Sequence, residues 1–389
     1  MKKEAIKLGI FNVILLGLVS LLNDLSSEMI FPILPMFIAA LGGGGLAIGL
    51  IGGTMEALSH LLKVVSGFWS DKIKKRKPFI FTGYFTSALF KLFLGLSKTW
   101  PFVLIFTSIE RLGKGVREAP RDALISESMP NQKGKGFGIQ RALDTLGAIL
   151  GGIVVLILFW FLGLGFSKLI LIAALIGFVA LIPLYFVKDI IKKTKGKIKK
   201  PSFKKMSKSL KRFILVSAIF AFANFSYMFF ILKAKELFLV DEKLAIAIPI
   251  LLYIFFNLFY ASFAVPFGNL ADKIGKKKVI GFGFFLFALT CLGFATFSSL
   301  WIYIILFIAY GLVYAMTYGN QRALVADLSK EGRRASSLGI FQTITGLIAL
   351  PASLIAGWLW TLNTNFTFIY GAIISFVSVI LFLIMDFKK

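Results

Sequence analysis

GFWSDKIKKRK at residues 67–77 and GNLADKIGKKK at residues 268–278 are two versions of one motif, set 201 positions apart. Two further matches follow in the same order, pairing ALISE at 123–127 with ALVAD at 323–327 and Gly-Ile at 138–139 with Gly-Ile at 339–340. Three matches in register indicate that one unit has been duplicated. Each copy contains several long apolar runs, which predicts two similar helical bundles related by an axis along a membrane normal.

The composition of the chain is typical of an integral membrane protein. Hydrophobic residues make up 58% of the 389 positions and charged residues only 16%, which lies outside the range of soluble domains. The apolar runs are much longer than the ~10 residues of a barrel strand, so helices are expected to span the bilayer. One Cys and one His exclude a disulfide framework and a Cys- or His-rich metal site, and neither a metal nor a cofactor is expected.

Windows of about 20 apolar residues predict twelve transmembrane helices. They lie near 9–38, 46–69, 79–97, 100–120, 137–160, 168–187, 213–235, 245–268, 279–297, 300–321, 336–360 and 364–386. Most of the 44 lysines and arginines fall in the termini and in every second loop. By the positive-inside rule these segments are cytoplasmic, so both termini are predicted inside, in a cytoplasmic (inner) membrane.

One long polar stretch divides the spans six and six. We therefore predict an N-terminal six-helix bundle at 1–187, a basic linker at 188–212 and a C-terminal six-helix bundle at 213–389. The linker lysines fit a topology determinant, and a role in binding anionic lipid head groups is the alternative. Nucleic acid is not an expected partner, because no aromatic residues for base stacking accompany the lysines.

At these residues the chain resembles the major facilitator superfamily of secondary transporters, over essentially its whole length. The family signature is a Gly, three residues, an Asp, a basic residue, any residue, a Gly and two basic residues, in the loop after the second helix. It is matched by Gly67, Asp71, Lys72, Lys75 and Arg76, and again by Gly268, Asp272, Lys273 and Gly275. Lys74 stands in place of the second Gly of the first copy. The resemblance implies two pseudo-symmetric bundles of six helices and a transport function.

The signature also has a direct physical interpretation. Glycine allows close approach of helices, and an Asp at a helix end accepts bonds from free N–H groups while pairing with neighbouring lysines. Such a group of charges would hold the cytoplasmic face closed in one state. We therefore treat the signature residues as candidate gating residues.

Ionisable groups inside the apolar spans mark a candidate site, because each costs about 3 kcal/mol or more at the bilayer centre. The first span carries Asn23, Asp24, Ser27 and Glu28, and the i,i+4 spacing places Asp24 and Glu28 on one helix face. Asp24 lies close to the predicted midplane, about 15 residues into the span. The two carboxyl groups are candidate proton carriers.

The fourth span carries a stripe of charges within an arc of roughly 120°. Its members are Glu110, Arg111, Lys114, Arg117 and Glu118. In the family the first, fourth, seventh and tenth helices line the central cavity, which implies substrate-cavity roles for Asn23, Ser27, Arg111, Lys114, Arg117, Glu118 and, in the seventh span, Asn224. Arg111 and Gly115 also match a family Arg-x-x-x-Gly motif of the fourth helix.

The fifth span adds Arg141 and Asp144 at i,i+3, with Asp144 a third candidate proton carrier and Arg141 a cavity residue. Gly138, Gly147 and Gly151 keep spacings that resemble the fifth-helix motif of family exporters of the antiporter type. Gly152 occupies the proline position of that motif.

The main functional hypothesis from these residues is transport by alternating access, in which the two bundles rock against each other. An apolar cavity favours the neutral form of a carboxylic acid and a nearby arginine its charged form, so motion of Arg111 relative to Asp24 would switch proton binding. The expected function is proton-coupled efflux of small amphipathic molecules, with protons, a small-molecule substrate and membrane lipids as partners.

Two alternatives stay open. One is uptake or exchange of an anionic solute clamped by Arg111, Lys114, Arg117 and Arg141. The other is a non-transporting receptor or a scramblase. An enzyme is not expected, because the chain lacks a Gly-x-Ser-x-Gly motif and a phosphate loop, and His60 has no Cys partner in sequence.

Overall fold

The computed structural model describes the backbone of residues 2–73, 75–130, 132–189, 206–238, 240–329 and 334–385. Within these ranges it leaves the side chains of residues 2–7, 64, 65, 68, 71 and 335 undescribed. The predicted roles of the Asp71 carboxylate and of most of the basic linker therefore lie outside the described residues. All regular structure in the described ranges is helical.

The helices alternate with short turns along the chain. They are α1 Lys2–Ile30, α2 Leu34–Ala40, α3 Gly45–Ile73, α4 Lys77–Gly95, α5 Trp100–Ser128, α6 Lys133–Leu162, α7 Phe166–Val179, α8 Leu181–Phe186, α9 Lys208–Ala223, α10 Met228–Lys235, α11 Glu242–Ile274, α12 Lys276–Thr296, α13 Leu300–Leu328, α14 Arg334–Leu362 and α15 Thr364–Ile384. A 3₁₀ turn at Glu236–Phe238 extends α10.

Eleven segments of the described chain are long and apolar enough to cross a membrane. They are Leu8–Ile30, Gly45–Lys63, Lys77–Gly95, Lys133–Leu162, Phe166–Phe186, Lys208–Phe238, Glu242–Ile274, Lys276–Thr296, Leu300–Leu328, Ser336–Leu362 and Thr364–Ile384. The fourth predicted span, α5, is absent from this set, since it carries the charged stripe. With 29 residues and a rise of about 1.5 Å each, it is nevertheless long enough to span. The helices therefore follow the predicted twelve-span arrangement.

The chain forms two compact units. Unit 1 comprises Met1–Gly42 and Leu58–Gly196, and unit 2 comprises Gly43–Ala57 and Lys197–Lys389. Helix α3 contributes its first part to unit 2 and its second part to unit 1. The predicted limits of the bundles and linker stay predictions.

The same pattern of neighbouring helices occurs inside each unit. In unit 1, α1 packs on α6 and α7, and α4 packs on α5 and α7. In unit 2, α9 packs on α14 and α15, and α12 packs on α13 and α15. These pairs correspond one to one when the spans are counted from the start of each half, as expected of a duplicated six-helix unit.

Several helices extend further than the predicted spans. Helices α3, α5, α11 and α13 continue to Ile73, Ser128, Ile274 and Leu328. Asp71, Asp272 and Glu127 therefore lie in the last helical turns, and their prediction as loop residues was wrong. A hydropathy window finds where apolar composition ends, but the backbone bonds of a helix continue through polar residues that reach water.

Besides the sixth predicted span, which breaks at Ala180 between α7 and α8, two predicted spans are interrupted. The first breaks at residues 31–33, next to Pro32, where α1 gives way to α2. The seventh breaks at residues 224–227, so its prediction as one continuous helix was wrong. Tertiary bonds stabilise this second break. The Ser226 N–H donates to the Ser353 hydroxyl at 3.1 Å, and the Tyr370 hydroxyl donates to the Phe222 carbonyl at 2.8 Å.

The interiors of the two units differ in composition. Unit 1 has an aliphatic cluster at its α1, α4, α5 and α8 contacts, formed by Val13, Leu15, Leu16, Val19, Ile80, Tyr84, Leu124, Ile125, Met129, Leu184 and Val187. The interior of unit 2 is aromatic. Phe220 stacks on Phe284 at 3.8 Å between ring centroids, and Phe230 stacks on Tyr310 at 4.4 Å. Among the described residues, five of the six buried charged side chains belong to unit 1, and the sixth, Lys233, belongs to unit 2.

Candidate functional site

Helices α1 and α6 touch through glycines of α6. A Cβ atom added at Gly151 would lie 2.5 Å from the Leu25 carbonyl oxygen and 2.9 Å from the Glu28 Cβ. A Cβ atom at Gly147 would overlap the backbone of Leu21. The two backbones are therefore in direct contact, as glycine allows at a helix–helix interface.

This contact brings together two of the predicted proton carriers. The carboxyl groups of Asp24 on α1 and Asp144 on α6 are neighbours and interact with each other. The Asn23 amide donates to Asp24 at 3.2 Å. Arg141 and Gln140 donate to Asp144 at 3.1 Å and 3.4 Å. We call Asp24 and Asp144 the carboxyl pair.

The carboxyl pair is connected to a cation of α5. Arg121 donates to the Ser20 hydroxyl at 3.2 Å and pairs with Asp122 at 3.1 Å. Gln140 donates both to Ser20, at 3.3 Å, and to Asp144. Asp144 keeps 15% of its side-chain surface exposed and Arg141 keeps 56%. The pair is thus partly shielded and still reachable by water.

The stripe on α5 contains buried charges. Arg111 pairs with Glu110 at 3.3 Å, and its guanidinium lies over the Phe31 ring at 4.6 Å from the centroid. The Arg117 guanidinium donates to the Ser87 hydroxyl at 2.5 Å and lies 4.3 Å from the Tyr84 ring centroid. Glu110, Arg111 and Arg117 are all buried. This part of α5 therefore makes its contacts inside unit 1.

The remaining stripe residues form a more open group. Glu118 pairs with Lys63 of α3 at 2.9 Å and with Lys114 at 3.9 Å. Lys114 retains 34% exposure. These side chains are nearer to solvent than Arg111 and Arg117.

A buried lysine, absent from the predicted site, sits behind the first span. Lys91 of α4 is 2% exposed, and its amine donates to the hydroxyls of Ser27 at 2.8 Å and Ser26 at 3.0 Å. Ser27, a predicted cavity residue, is therefore buried against α4. An ionisable residue inside an apolar run was a signal that could have found Lys91. Its serine partners, more than 60 positions earlier, could not be read from the sequence.

The other predicted residues take separate positions. Glu28 lies one turn beyond Asp24, against Gly151. Asn224, in unit 2, ends α9 at the break of the seventh span and accepts a bond from the Tyr314 hydroxyl at 3.4 Å. Tyr310 in turn donates to Tyr314 at 3.5 Å. The contacts of Asn224 among the described residues are all with residues of unit 2.

The gating signature of unit 1 is anchored by Arg76. Its side chain is buried and donates to Ser70 at 2.8 Å and to Glu127 at 3.0 Å. The backbone N–H groups of Arg76 and Lys77 both donate to the Asp189 carboxylate at 3.0 Å, which caps the start of α4. Lys72 and Lys75 are exposed. A Cβ atom at Gly67 would lie 3.2 Å from the Ala119 Cβ, so the first glycine faces α5 closely.

The corresponding region of unit 2 uses a lysine. Lys276 pairs with Asp272 at 2.9 Å and with Asp327 at 3.1 Å. Gly275 has φ +100°, a conformation that favours glycine. A Cβ atom added at Gly268 would meet no described atom within 4 Å, so close approach is not its role here. Lys273 is exposed.

Comparison with known proteins identifies the family. The profile of the Major Facilitator Superfamily matches residues 16–259 and 238–388. The chain belongs to this family. Its members are transporters of small molecules and not enzymes, which confirms the predicted fold class, the membrane location and the absence of an enzymatic role.

Proteins similar to this MFS transporter differ widely in sequence identity and in the share of the chain that they match. An uncharacterized MFS-type transporter of Methanocaldococcus jannaschii is 56% identical over 374 residues, 96% of this chain and 94% of that protein. The multidrug resistance protein MdtH of Photorhabdus laumondii is 29% identical over 138 residues, 35% of this chain and 34% of that protein. A mutant of the nucleoside transporter NupG superposes with a TM-score of 0.82 at 15% identity, covering 96% of this chain and 99% of that one. The last likeness shows the fold alone.

Proposed function

We propose that this MFS transporter exports small amphipathic molecules in exchange for protons, by alternating access, and that the carboxyl pair carries the proton. The observation behind the proposal is the backbone contact of α1 and α6 at Gly147 and Gly151, which makes the carboxyl groups of Asp24 and Asp144 neighbours. Two carboxylates this close repel each other strongly, so the pair holds one proton between its two oxygens. Losing that proton changes both the charge of the site and the attraction between α1 and α6.

The cations around the carboxyl pair make proton release possible. Arg141 binds Asp144 directly at 3.1 Å, and Arg121 reaches it through Ser20 and Gln140. A nearby arginine favours the ionised form of a carboxylic acid. Small movements that bring these guanidinium groups closer or remove them would switch the pair between binding and releasing its proton. Glu28, one turn away, is the second candidate carrier.

Two observations support export. The antiporter-like glycines of the fifth span include Gly147 and Gly151, which place α6 on α1 next to the carboxyl pair. The partial match to MdtH, named a multidrug resistance protein, covers 35% of this chain. Both agree with efflux driven by an inward proton gradient.

The proposed orientation places both termini and the basic linker on the cytoplasmic side of the inner membrane. The basic residues of the termini and alternate loops support it through the positive-inside rule. In this orientation the basic linker is on the side of the anionic cytoplasmic leaflet, which makes membrane lipids a proposed partner.

The test uses purified protein in liposomes with an acidic lumen and ethidium, a small amphipathic molecule, as probe. We expect ethidium to accumulate in the lumen while protons leave. Asp24→Asn and Asp144→Asn are each expected to reduce accumulation to the level of protein-free liposomes, because an amide cannot exchange the proton. Exchange of ethidium across the membrane at equal pH should persist, since that process needs no net proton movement.

Glu242→Gln is the matched control. This glutamate lies exposed in the first turn of α11, so its neutralisation should leave gradient-driven accumulation at the wild-type level. Ethidium movement that ignores the pH gradient would contradict the proposal, as would variants of the carboxyl pair that retain full gradient-driven accumulation.

A second candidate function, transport of an anionic solute, is favoured by Arg117. Its guanidinium is buried on a hydroxyl and a ring, and no carboxylate of the described residues lies within 4.0 Å of it. A buried cation of this kind can bind a substrate carboxylate. Uptake of benzoate that is lost in Arg117→Gln and kept in Asp24→Asn would favour this alternative.

A further inference from the structure

Lys91 presents an amine that is buried without a carboxylate in contact. Its side chain is 2% exposed, and in the described part of the chain no acidic oxygen lies within 4.0 Å of Nζ. Its recorded contacts are the hydroxyls of Ser26 and Ser27. Burying an ammonium ion without an ion-pair partner is unfavourable.

The two hydroxyls can serve both protonation states of Lys91. Ser26 donates its own hydrogen to the Ala173 carbonyl of α7 at 2.5 Å, so toward Lys91 it acts as an acceptor. The Ser27 hydroxyl has no other hydrogen bond among the described residues, so it can accept or donate. An ammonium donates to both serines, while a neutral amine donates to Ser26 and accepts from Ser27. No heavy atom needs to move.

The charged groups around the amine come from α5 and α1. The Lys91 amine lies in the electrostatic field of four of them, Glu110, Arg117, Asp24 and Arg111. Helix α7 contributes the Ala173 carbonyl, and its charged residue, Lys168, is exposed. The two arginines disfavour a further positive charge, whereas the two acids favour it. Asp24 is the member of this group that belongs to the carboxyl pair, so its ionisation changes the field at Lys91.

We propose that Lys91 is a second proton-exchanging residue of this transporter, whose affinity for a proton rises when the carboxyl pair is ionised and falls when the pair is protonated. This inference rests on the proposed role of the pair as the proton site. The exchanged proton comes from and returns to water. A lysine linked in this way limits the change in buried charge each time the pair gains or loses its proton.

Nitrogen NMR of the lysine side chains tests this directly and needs no substrate. The wild-type protein is labelled with ¹⁵N-lysine in detergent micelles, and the Lys91 signal is assigned by its loss in Lys91→Arg. Spectra between pH 6 and pH 9 should show this signal move from the ammonium to the amine position. The signal of the exposed Lys98, assigned in the same way, serves as the reference in the same spectra.

The link to the carboxyl pair is tested in the double variant Asp24→Asn, Asp144→Asn. We expect the midpoint of the Lys91 transition to move down by about one pH unit, a tenfold loss of proton affinity, because the anion near the amine is gone. A Lys91 signal fixed in either position across the range would overturn the proposal. An unshifted midpoint in the double variant would overturn it as well.

Transport assays add a readout that separates proton exchange from packing. Lys91→Met keeps the chain length without the amine, and Lys91→Arg keeps a permanent charge. Both should reduce gradient-driven ethidium accumulation to the level of protein-free liposomes, with Lys98→Met unchanged as control. Full activity of either Lys91 variant would show that the residue only fills space or only supplies charge.

The two proposals fail in different ways. If wild-type ethidium movement ignores the pH gradient while Lys91 titrates and responds to the double variant, the coupling function is wrong and the linkage stands. If movement follows the gradient and Lys91 does not titrate, the carboxyl pair acts without it.

Discussion

The contact between α1 and α6 gives a sharp test at Gly151. A Cβ atom there would lie 2.5 Å from the Leu25 carbonyl oxygen, about 1 Å closer than ordinary van der Waals contact, and 2.9 Å from the Glu28 Cβ. Because both neighbours are fixed to the backbone of α1, neither can rotate away. Gly151→Ala must therefore push the two helices apart.

The size of the effect follows from comparison with Gly138 on the same helix. A Cβ atom at Gly138 would meet no described atom within 4 Å. Both substitutions gain the helix preference of alanine over glycine, about 1 kcal/mol, so this gain cancels between them. Overpacking costs about 1–3 kcal/mol. Gly151→Ala should be less stable than Gly138→Ala by that amount.

Thermal unfolding of the two purified variants in the same detergent measures this difference. We expect Gly151→Ala to melt below Gly138→Ala and to lose gradient-driven transport, because the displacement separates Asp24 from Asp144. Gly138→Ala should retain both properties. Equal melting temperatures would refute the close approach of α1 and α6, and with it the geometry of the carboxyl pair.

Two further predictions concern the gating signature. Glu127→Gln should destabilise the protein by about 1.5–3 kcal/mol, because Glu127 pairs with the buried Arg76. Asp272→Asn should cost less than about 1 kcal/mol, because the Asp272 side chain is 68% exposed. Equal unfolding temperatures of the two variants would contradict this ranking. Gly275→Ala should cost about 1–3 kcal/mol through its φ of +100°. Gly268→Ala lies inside α11 with open space around it and should stabilise the protein by up to about 1 kcal/mol in the same thermal assay, so a loss at Gly268 larger than that at Gly275 would disprove the assignment.

Much of the fold could be predicted from the sequence because two signals agreed. The apolar runs gave the spans, and the duplicated motifs grouped them into halves. What hydropathy could not provide was the end of each helix, as at Ile73 and Ile274, or a break held by distant residues. The interruption after Ala223 depends on Ser353 and Tyr370, and no proline or glycine marks it locally.

The individual residues of the candidate site could be predicted from the sequence, but their spatial arrangement could not. Asp24 and Asp144 stand out because an acid inside an apolar run is costly. Their pairing depends on the register of α6 on α1, which is set by backbone contacts at Gly147 and Gly151. Lys91 carried the same signal as the acids, yet its meaning depends on two serines that the sequence places far away.

The ion pairs of the two signatures show how the duplicated motifs came to differ physically. Each unit joins a basic residue after its second span to an acid at the end of its fourth, Arg76 to Glu127 and Lys276 to Asp327. Arg76 makes its bonds with 9% of its side chain exposed, whereas the Asp327 carboxylate is 57% exposed. Salt screens exposed charges more than buried ones, so the pair in unit 2 is the weaker and more salt-sensitive of the two. In the proposed alternating-access cycle, the pair in unit 1 is suited to hold its helices together, and the pair in unit 2 is suited to open and close.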